Sequence, residues 1–411
     1  MNPPWQRRLA VRVTRDAERH IRAGHPWVYD RSIESAKRGE PGDLAVIFDR
    51  QRRFLAIGLY DPTSPMRIRI LHAGNPQTID DKWLVETIGR SISRRSTLLE
   101  GGADGGEHGG TTAFRLVHGE NDGLGGLVID RYGSNLVIKI YTVAWLPWLD
   151  HLTEAAMAAA AAAIGPVDGV VLRLSRQVAA AGPRRDGEVI AGADLGEPVT
   201  FVENGLMFQT DLVRGHKTGH FLDQRDNRRM IRSLAADRDV LDVFACTGGF
   251  SVHAASGGAS AVTSVDASRP ALDVARTNMA LNPSAADTPH RIHAGDAFAA
   301  MEDLAADGVG FDLVIVDPPA FAQRKSQVVG ALAAYERLAA RAGSVTRPGG
   351  LILQASCSSR IDEDQLVAAV GAGLGRSGRR WNELRRTGQP IDHPVGFTEG
   401  RYLKAVLIET L

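Results

Sequence analysis

A chain of 411 residues with 44% hydrophobic and 23% charged residues is an ordinary globular composition, and it is too long for one typical core, so two or three domains are expected. The 48 basic residues balance 48 acidic ones, which leaves no whole-chain basic footprint; a nucleic-acid partner has to be argued from local surface. No apolar run of about 18 residues occurs, MNPPWQRRLA carries no apolar signal core, and two cysteines make no disulfide framework, so a membrane span and secretion are not expected and a reducing cytoplasm is.

Residues 1–75 read as short strands separated by turns. AVRVT, LAVIFD, RRFLAIGLYD and MRIRILH alternate or run apolar, and Gly24, Pro26, Pro41-Gly42 and Pro62 punctuate them. By pattern alone this is a small β-rich domain, a structural cap as readily as a binding module. Residues 76–98 have helical spacing through Ile79, Trp83, Ile88 and Ile92, and the glycine-rich stretch 100–112 reads as a linker or loop. In 113–200, FRLVHGE and GGLVIDRYG flank the turn formers Asn121-Asp122-Gly123. NLVIKIYT, GVVLRLS and GEVIAG add strands around an alanine-rich helix, which makes a small α+β unit. From about residue 201, DVLDVF, AVTSVD, RIHAGD, FDLVIVD and GGLILQAS alternate with helical stretches, the pattern of a doubly wound, mostly parallel α/β sheet. The expected domains are therefore 1–75, 76–200 and 201–411. Only six of the basic residues are lysine; with so much alanine and glycine this matches a coding bias and says nothing about RNA.

Ligands of such sheets bind at the carboxyl ends of the strands. The first strand ends in LDVFACTGGFS, with Asp242 inside it and a turn at Thr247-Gly248-Gly249, where a backbone can approach a ligand closely. The second ends in Asp266, an acid placed to accept ribose hydroxyls, and the third in Asp296. A dinucleotide site wants G-x-G-x-x-G around a pyrophosphate, which ACTGGFS does not supply. S-adenosylmethionine has no phosphate and needs only one tight glycine turn, so it is the favoured cofactor. The fourth strand runs into Asp317-Pro318-Pro319-Ala320-Phe321. The prolines lack a donor N–H and stop the strand, holding Asp317 at its end, while Phe321 is available to stack on a planar ring. Beside a glycine turn this strand end signals methyl transfer to a nucleobase; the alternative is a structural turn.

The fifth strand ends in QASCSSRID, with Cys357 at its tip in a polar loop, where a thiol packs poorly. With the first, fourth and fifth strands side by side at about 4.8 Å, Cys246 and Cys357 are expected roughly 10 Å apart, beyond the ~7 Å that a disulfide spans. Asp317 then lies between them. Cys246 reads as a packing residue and Cys357 as a nucleophile. Carbon 5 of a pyrimidine is too weakly nucleophilic to take a methyl group unaided, and a thiolate adding to carbon 6 makes it enamine-like. A carboxyl held like Asp317 can hydrogen-bond N3 and favour the addition. A thiol with the ordinary pKa of ~8.5 needs activation, and the sequence does not reveal its source.

With these motifs in place the chain resembles the bacterial large-subunit (23S) ribosomal RNA cytosine-5 methyltransferases, which join a PUA domain, a small α+β middle domain and a Rossmann-like methyltransferase domain. GHPWVYDRSI and FLAIGLYDPTSPMRIRIL resemble the PUA part, RLVHGENDGLGGLVIDRYG the middle domain, and TGHFLDQRDNR, DPPAF, SCS and IDHPVGFTEGRYLKAV the catalytic domain. The resemblance implies S-adenosylmethionine contacts from Thr218, Gln224, Asp242, Phe244, Thr247, Gly248, Gly249, Asp266, Asp296, Ala297 and Asp317. It implies catalysis by Cys357 and Asp317 and base contacts at Pro318 and Phe321. The implied partner is large-subunit ribosomal RNA, without a membrane; a homodimer is compatible with the sequence, which does not fix the oligomeric state. No metal is implied. Two departures stand out: position 246 is Cys where a larger residue is expected, and DPPAF lacks the second cysteine that assists release in some RNA cytosine-5 enzymes. The base that removes the carbon 5 hydrogen is then unassigned; His393 and Lys325 are candidates that also read as structural. The rival readings are a guanine-directed methyltransferase, which needs no thiol, and a non-catalytic RNA-binding protein that kept the fold.

Overall fold

The computed structural model describes residues 3–100, 110–192, 195–215, 220–322 and 324–411. Most of the glycine-rich 100–112 stretch, and Thr218, lie outside the described residues. The chain forms two compact units: Met1–Gly205 with Thr210–Leu222 and Ile391–Phe397, and Leu206–Gln209 with Asp223–Pro390 and Thr398–Leu411.

In the first unit, β1 (Arg8–Val13), β2 (Trp27–Val28), β3 (Ile33–Ala36), β4 (Leu44–Phe48), β5 (Phe54–Tyr60) and β6 (Ile68–Ala73) make a sheet in the order β2-β6-β5-β4-β1-β3. Alternation along β1 buries Leu9, Val11 and Val13, whereas β5 is buried on both faces and so runs apolar. α1 (Arg15–Arg22) packs Ala17 and Ile21 into that core. Its charged sequence RDAERHIR hides the helical stripe, and only Thr14, accepting the Ala17 N–H at 3.3 Å, marks its start.

Residues 81–192 build a second sheet. α2 (Asp81–Ser93) buries Trp83, Leu84, Ile88 and Ile92, capped by Asp80 on the Trp83 N–H at 2.9 Å; α3 (Ser96–Glu100) follows. β7 (Ala113–His118), β8 (Leu127–Tyr132), β9 (Asn135–Ile140), β10 (Gly169–Leu174) and β11 (Glu188–Gly192) lie in the order β11-β10-β9-β8-β7. α4 (Leu149–Ile164) crosses from β9 to the parallel β10, its alanine run turned to the core through Ala155, Ala156, Ala159 and Ala160; α5 (Arg176–Ala181) and β12 (Val199–Glu203) come after. The two sheets share one core, in which Leu44, Ile57 and Leu59 meet Trp145 and Trp148. The buried indoles donate to the carbonyls of Gly125 and Gly42 at 2.9 and 2.8 Å. Asp122, expected as a turn former, is also a buried anchor: its carboxylate takes two N–H bonds from the fully buried Arg95, at 2.9 and 2.6 Å.

The second unit begins with β13 (Leu206–Thr210) and α6 (Arg225–Leu234). Its sheet runs β16-β15-β14-β17-β18-β20-β19, from β14 (Asp239–Val243), β15 (Ala261–Asp266), β16 (His290–Ala294), β17 (Phe311–Val316), β18 (Thr346–Ser356), β19 (Trp381–Thr387) and β20 (Lys404–Thr410). β14 to β18 are parallel, and β20 inserts antiparallel between β18 and β19. The crossovers are α7 (Gly249–Ser256), α8 (Arg269–Ala280), α9 (Pro283–Ala286), α10 (Ala297–Ala306), α11 (Val328–Val345) and α12 (Glu363–Arg376). β14, β17 and β18 are neighbours as expected, and strand order reverses between β14 and β17. That reversal places the ligand crevice at their carboxyl ends.

Candidate active site

The turn after β14 is strained. Phe244 and Cys246 hold positive φ of 66° and 49°, a cost for residues with a Cβ that glycine would not bear. The Phe244 and Ala245 N–H groups donate to the Val265 carbonyl at 2.9 and 3.0 Å, and the Cys246 N–H to Asp266 Oδ2 at 2.9 Å. Asp266 Oδ1 accepts from Ser268 N at 2.8 Å. Asp266 therefore already braces the turn, and each oxygen keeps a second lone pair for a ligand hydroxyl. Gly248 has φ 77°, and a Cβ there would meet the Ala275 Cβ at 2.7 Å, so only glycine fits. Asn278 of α8 donates to the Thr247 carbonyl at 2.9 Å, and Gly249 opens α7.

Asp242 is fully buried; its Oδ2 accepts from Ser251 at 2.6 Å, and Oδ1 has no hydrogen-bond partner among the described residues. Burial pushes its pKa up to about 6, the Ser251 hydrogen bond opposing and the Asp266 charge adding. Asp296 is exposed and caps α10, accepting the Phe298 and Ala299 N–H groups at 3.0 Å, with Ala297 buried behind it. These residues line the ends of β14, β15 and β16.

Asp317 follows β17, its N–H donating to the Val243 carbonyl at 3.3 Å. Gln224, buried at the start of α6, donates from Nε2 to Asp317 Oδ1 at 2.8 Å and accepts from Asn227. Asp317 keeps a partly open face, yet burial of the carboxyl, reinforced by the Asp223 charge, pushes its pKa up to about 7. The Gln224 hydrogen bond and the Arg228 charge pull the other way.

The SCS tripeptide has a division of labour that sequence alone does not reveal. Ser356 donates to the Tyr335 hydroxyl at 2.8 Å and Ser358 to the Ala322 carbonyl at 2.6 Å, and both serines are buried. Cys357 between them stays partly exposed, its Sγ 3.8 Å from the Pro318 carbonyl. The β17 and β18 loops are thereby clamped together with the thiol beside the Asp-Pro-Pro turn. Phe321 lies at the same edge, its ring 5.2 Å from that of Tyr335. Burial, with the Cys357 and Asp317 charges adding, pushes the Tyr335 phenol up to about 12 and keeps it neutral.

Cys246 and Cys357 are both thiols. Of the two candidate bases, Lys325 is exposed at the start of a single 3-10 turn, and His393 belongs to the first unit, buried with its ring 5.1 Å from that of His118. The residue missed in the sequence is Lys404. It is 2% exposed, and its ammonium donates to the carbonyls of Ser358 and Ile361. A single lysine opening a strand carries no sequence mark of burial.

Comparison with known proteins bears on this arrangement. Residues 115–388 match the family model described as S-adenosylmethionine-dependent methyltransferase, and residues 11–73 one described as a PUA-like domain. A "Ribosomal RNA large subunit methyltransferase" of Deinococcus radiodurans is 45% identical over 98% of this chain and 97% of its own length. A "Ribosomal RNA large subunit methyltransferase I" of Photobacterium profundum is 33% identical over 96% and 98%. A solved structure of a methyltransferase complexed with SAH superposes with a TM-score of 0.80 at 22% identity, over 98% of this chain and 99% of that one. At that identity the likeness is one of fold.

Proposed function

Because the chain belongs to the S-adenosylmethionine-dependent methyltransferases, and within them to the ribosomal RNA large subunit methyltransferases that carry a PUA-like domain, we propose that it forms 5-methylcytosine in large-subunit ribosomal RNA, in the cytoplasm, through a Cys357 adduct. The residues present fit the cofactor. Gly248 makes a cradle that a Cβ would fill, Asp266 has lone pairs to spare, and Asp242 has an oxygen without a partner among the described residues. Thr247, Gly248, Gly249, Asp242 and Phe244 would hold the methionine part, Asp266 the ribose, Asp296 and Ala297 the adenine. S-adenosylmethionine supplies an electrophilic sulfonium methyl group.

The protein's own residues do the rest. The Cys357 thiolate adds to carbon 6 of a cytosine taken out of its stack, which rests against Phe321 and Pro318. Asp317, with a pKa near 7, is neutral often enough at physiological pH to donate a proton toward N3 as negative charge develops on the ring. Carbon 5 then takes the methyl group and S-adenosylhomocysteine leaves. The carbon 5 hydrogen passes as a proton to water, the carbon–sulfur bond breaks to release the Cys357 thiolate, and N3 returns its proton to Asp317. The observation that carries this reading is the SCS loop: two buried, hydrogen-bonded serines hold one partly exposed thiol beside a carboxyl of raised pKa.

RNA with 5-fluorocytidine at the target cannot lose its 5-substituent after methyl transfer. Wild-type protein should therefore give a protein–RNA band that survives denaturing electrophoresis, and Cys357→Ala should abolish both band and turnover. Normal methylation by Cys357→Ala would instead favour the guanine-directed reading, since ring nitrogens need no thiol.

A further inference from the structure

A lysine is rarely buried, because its ammonium can be carried out to water on a long stem. Lys404 does not use that route. Across the β18–β20 ladder it stands opposite Ser356, the residue before Cys357, and its ammonium turns inward to the Ser358 and Ile361 carbonyls. Both acceptors belong to the loop that begins at Cys357. We propose that Lys404 is a positioning residue for Cys357: its ammonium ties down the loop behind the thiol and supplies the positive charge that favours the thiolate. The proposal rests on the reading of Cys357 as the nucleophile.

The charges around the thiol support this assignment. From β17 the Asp317 carboxyl opposes a thiolate, but it is half neutral near pH 7; from α11 the Tyr335 phenol is neutral. Asp362 and Glu363 open α12 and act on Lys404 together with Cys357 and, oppositely, Arg401. Arg360 and Arg401 are exposed, and Arg401 reaches Glu363 at 3.5 Å. Lys404 is a buried cation that acts on the thiol, and Arg228 of α6, also buried, acts on Asp317. Burial brings the Lys404 pKa down to about 8, with Cys357 first among the charges that resist the fall. The attraction is mutual, so the same charge lowers the thiol.

The test is the pH dependence of Cys357 alkylation by iodoacetamide in the full-length protein without RNA, read by mass spectrometry of the Cys357 peptide. The wild-type midpoint should lie below the ~8.5 of a free thiol, and Lys404→Arg should keep it low. Lys404→Gln retains a donor for the carbonyls without the charge, and it should slow alkylation at pH 7 about tenfold, the equivalent of one pKa unit. A wild-type midpoint at or above ~8.5 overturns the proposal even if every variant fails to fold. So does a folded Lys404→Gln protein with the wild-type midpoint. Methylation by Cys357→Ala is scored separately: if it persists, the nucleophile reading fails whatever the alkylation midpoint is.

Discussion

Asp317 carries a stability cost with a definite sign. Its pKa rises from 3.8 toward about 7 on folding, so the contribution it makes is fully present below pH 3.8 and is lost as pH climbs through 7. Asp317→Asn removes the penalty while leaving an oxygen for Gln224. The variant should be more stable than wild type by about 2 kcal/mol at pH 8, a figure reduced for the partly open face, and the gap should shrink toward pH 5. Urea unfolding at the two pH values measures it, and equal midpoints at pH 8 would mean the carboxyl is not raised. Asp266→Ala removes the proposed ribose acceptor and the brace on Cys246, so affinity for S-adenosylhomocysteine should fall by about 1.5–3 kcal/mol in titration calorimetry. At this scale the sequence was legible where chemistry restricts the residue type. A cysteine at a strand tip and an Asp-Pro-Pro turn announce themselves. Lys404 and the two serines do not, because what they do depends on partners far away in the chain, Lys404 on Ser358 and Ile361, Ser358 on Ala322.

At the scale of elements, β14, β15, β17 and β18 of the second unit were readable because burial on both faces makes them continuous apolar runs, as in LVIV, whereas β16 at the sheet edge is largely exposed. α1 was not, since its stripe amounts to Ala17 and Ile21 among charges. Nor does apolar pattern reveal backbone strain, which in the turn after β14 is borne by Phe244 and Cys246. Gly248 is the point where that turn meets α8. Gly248→Ala would hold a Cβ at φ 77° against Ala275, combining backbone strain with overpacking. Calorimetry should show cofactor affinity at least about tenfold weaker, with thermal stability lower by about 2–4 kcal/mol. Unchanged affinity in a folded Gly248→Ala protein would mean that the cofactor does not use this turn.

The first unit is one compact body, and this changes how a proposed role in RNA binding can be tested. A strand pattern over residues 1–75 suggests a detachable module, but Leu44, Ile57, Leu59 and Leu71 lie in the same core as Trp145 and Trp148, and Trp148 donates to the Gly42 carbonyl. Cutting at residue 75 would remove four aliphatic side chains from the core that also holds the two indoles and leave the Trp148 N–H without its acceptor. Large losses of buried area of this kind cost several kcal/mol, and the exposed patch invites association. The chain 76–411 should therefore unfold at a distinctly lower temperature than the full protein and elute as aggregates on gel filtration, while a charge substitution on the exposed face, such as Arg31→Glu, should leave the melting temperature unchanged. RNA affinity is then measured on the surface variant, where a loss reports on contact with RNA and not on unfolding. A truncated chain that melts like the full one would show that residues 1–75 are detachable after all, and the shared core would then contribute little to the stability of the remainder.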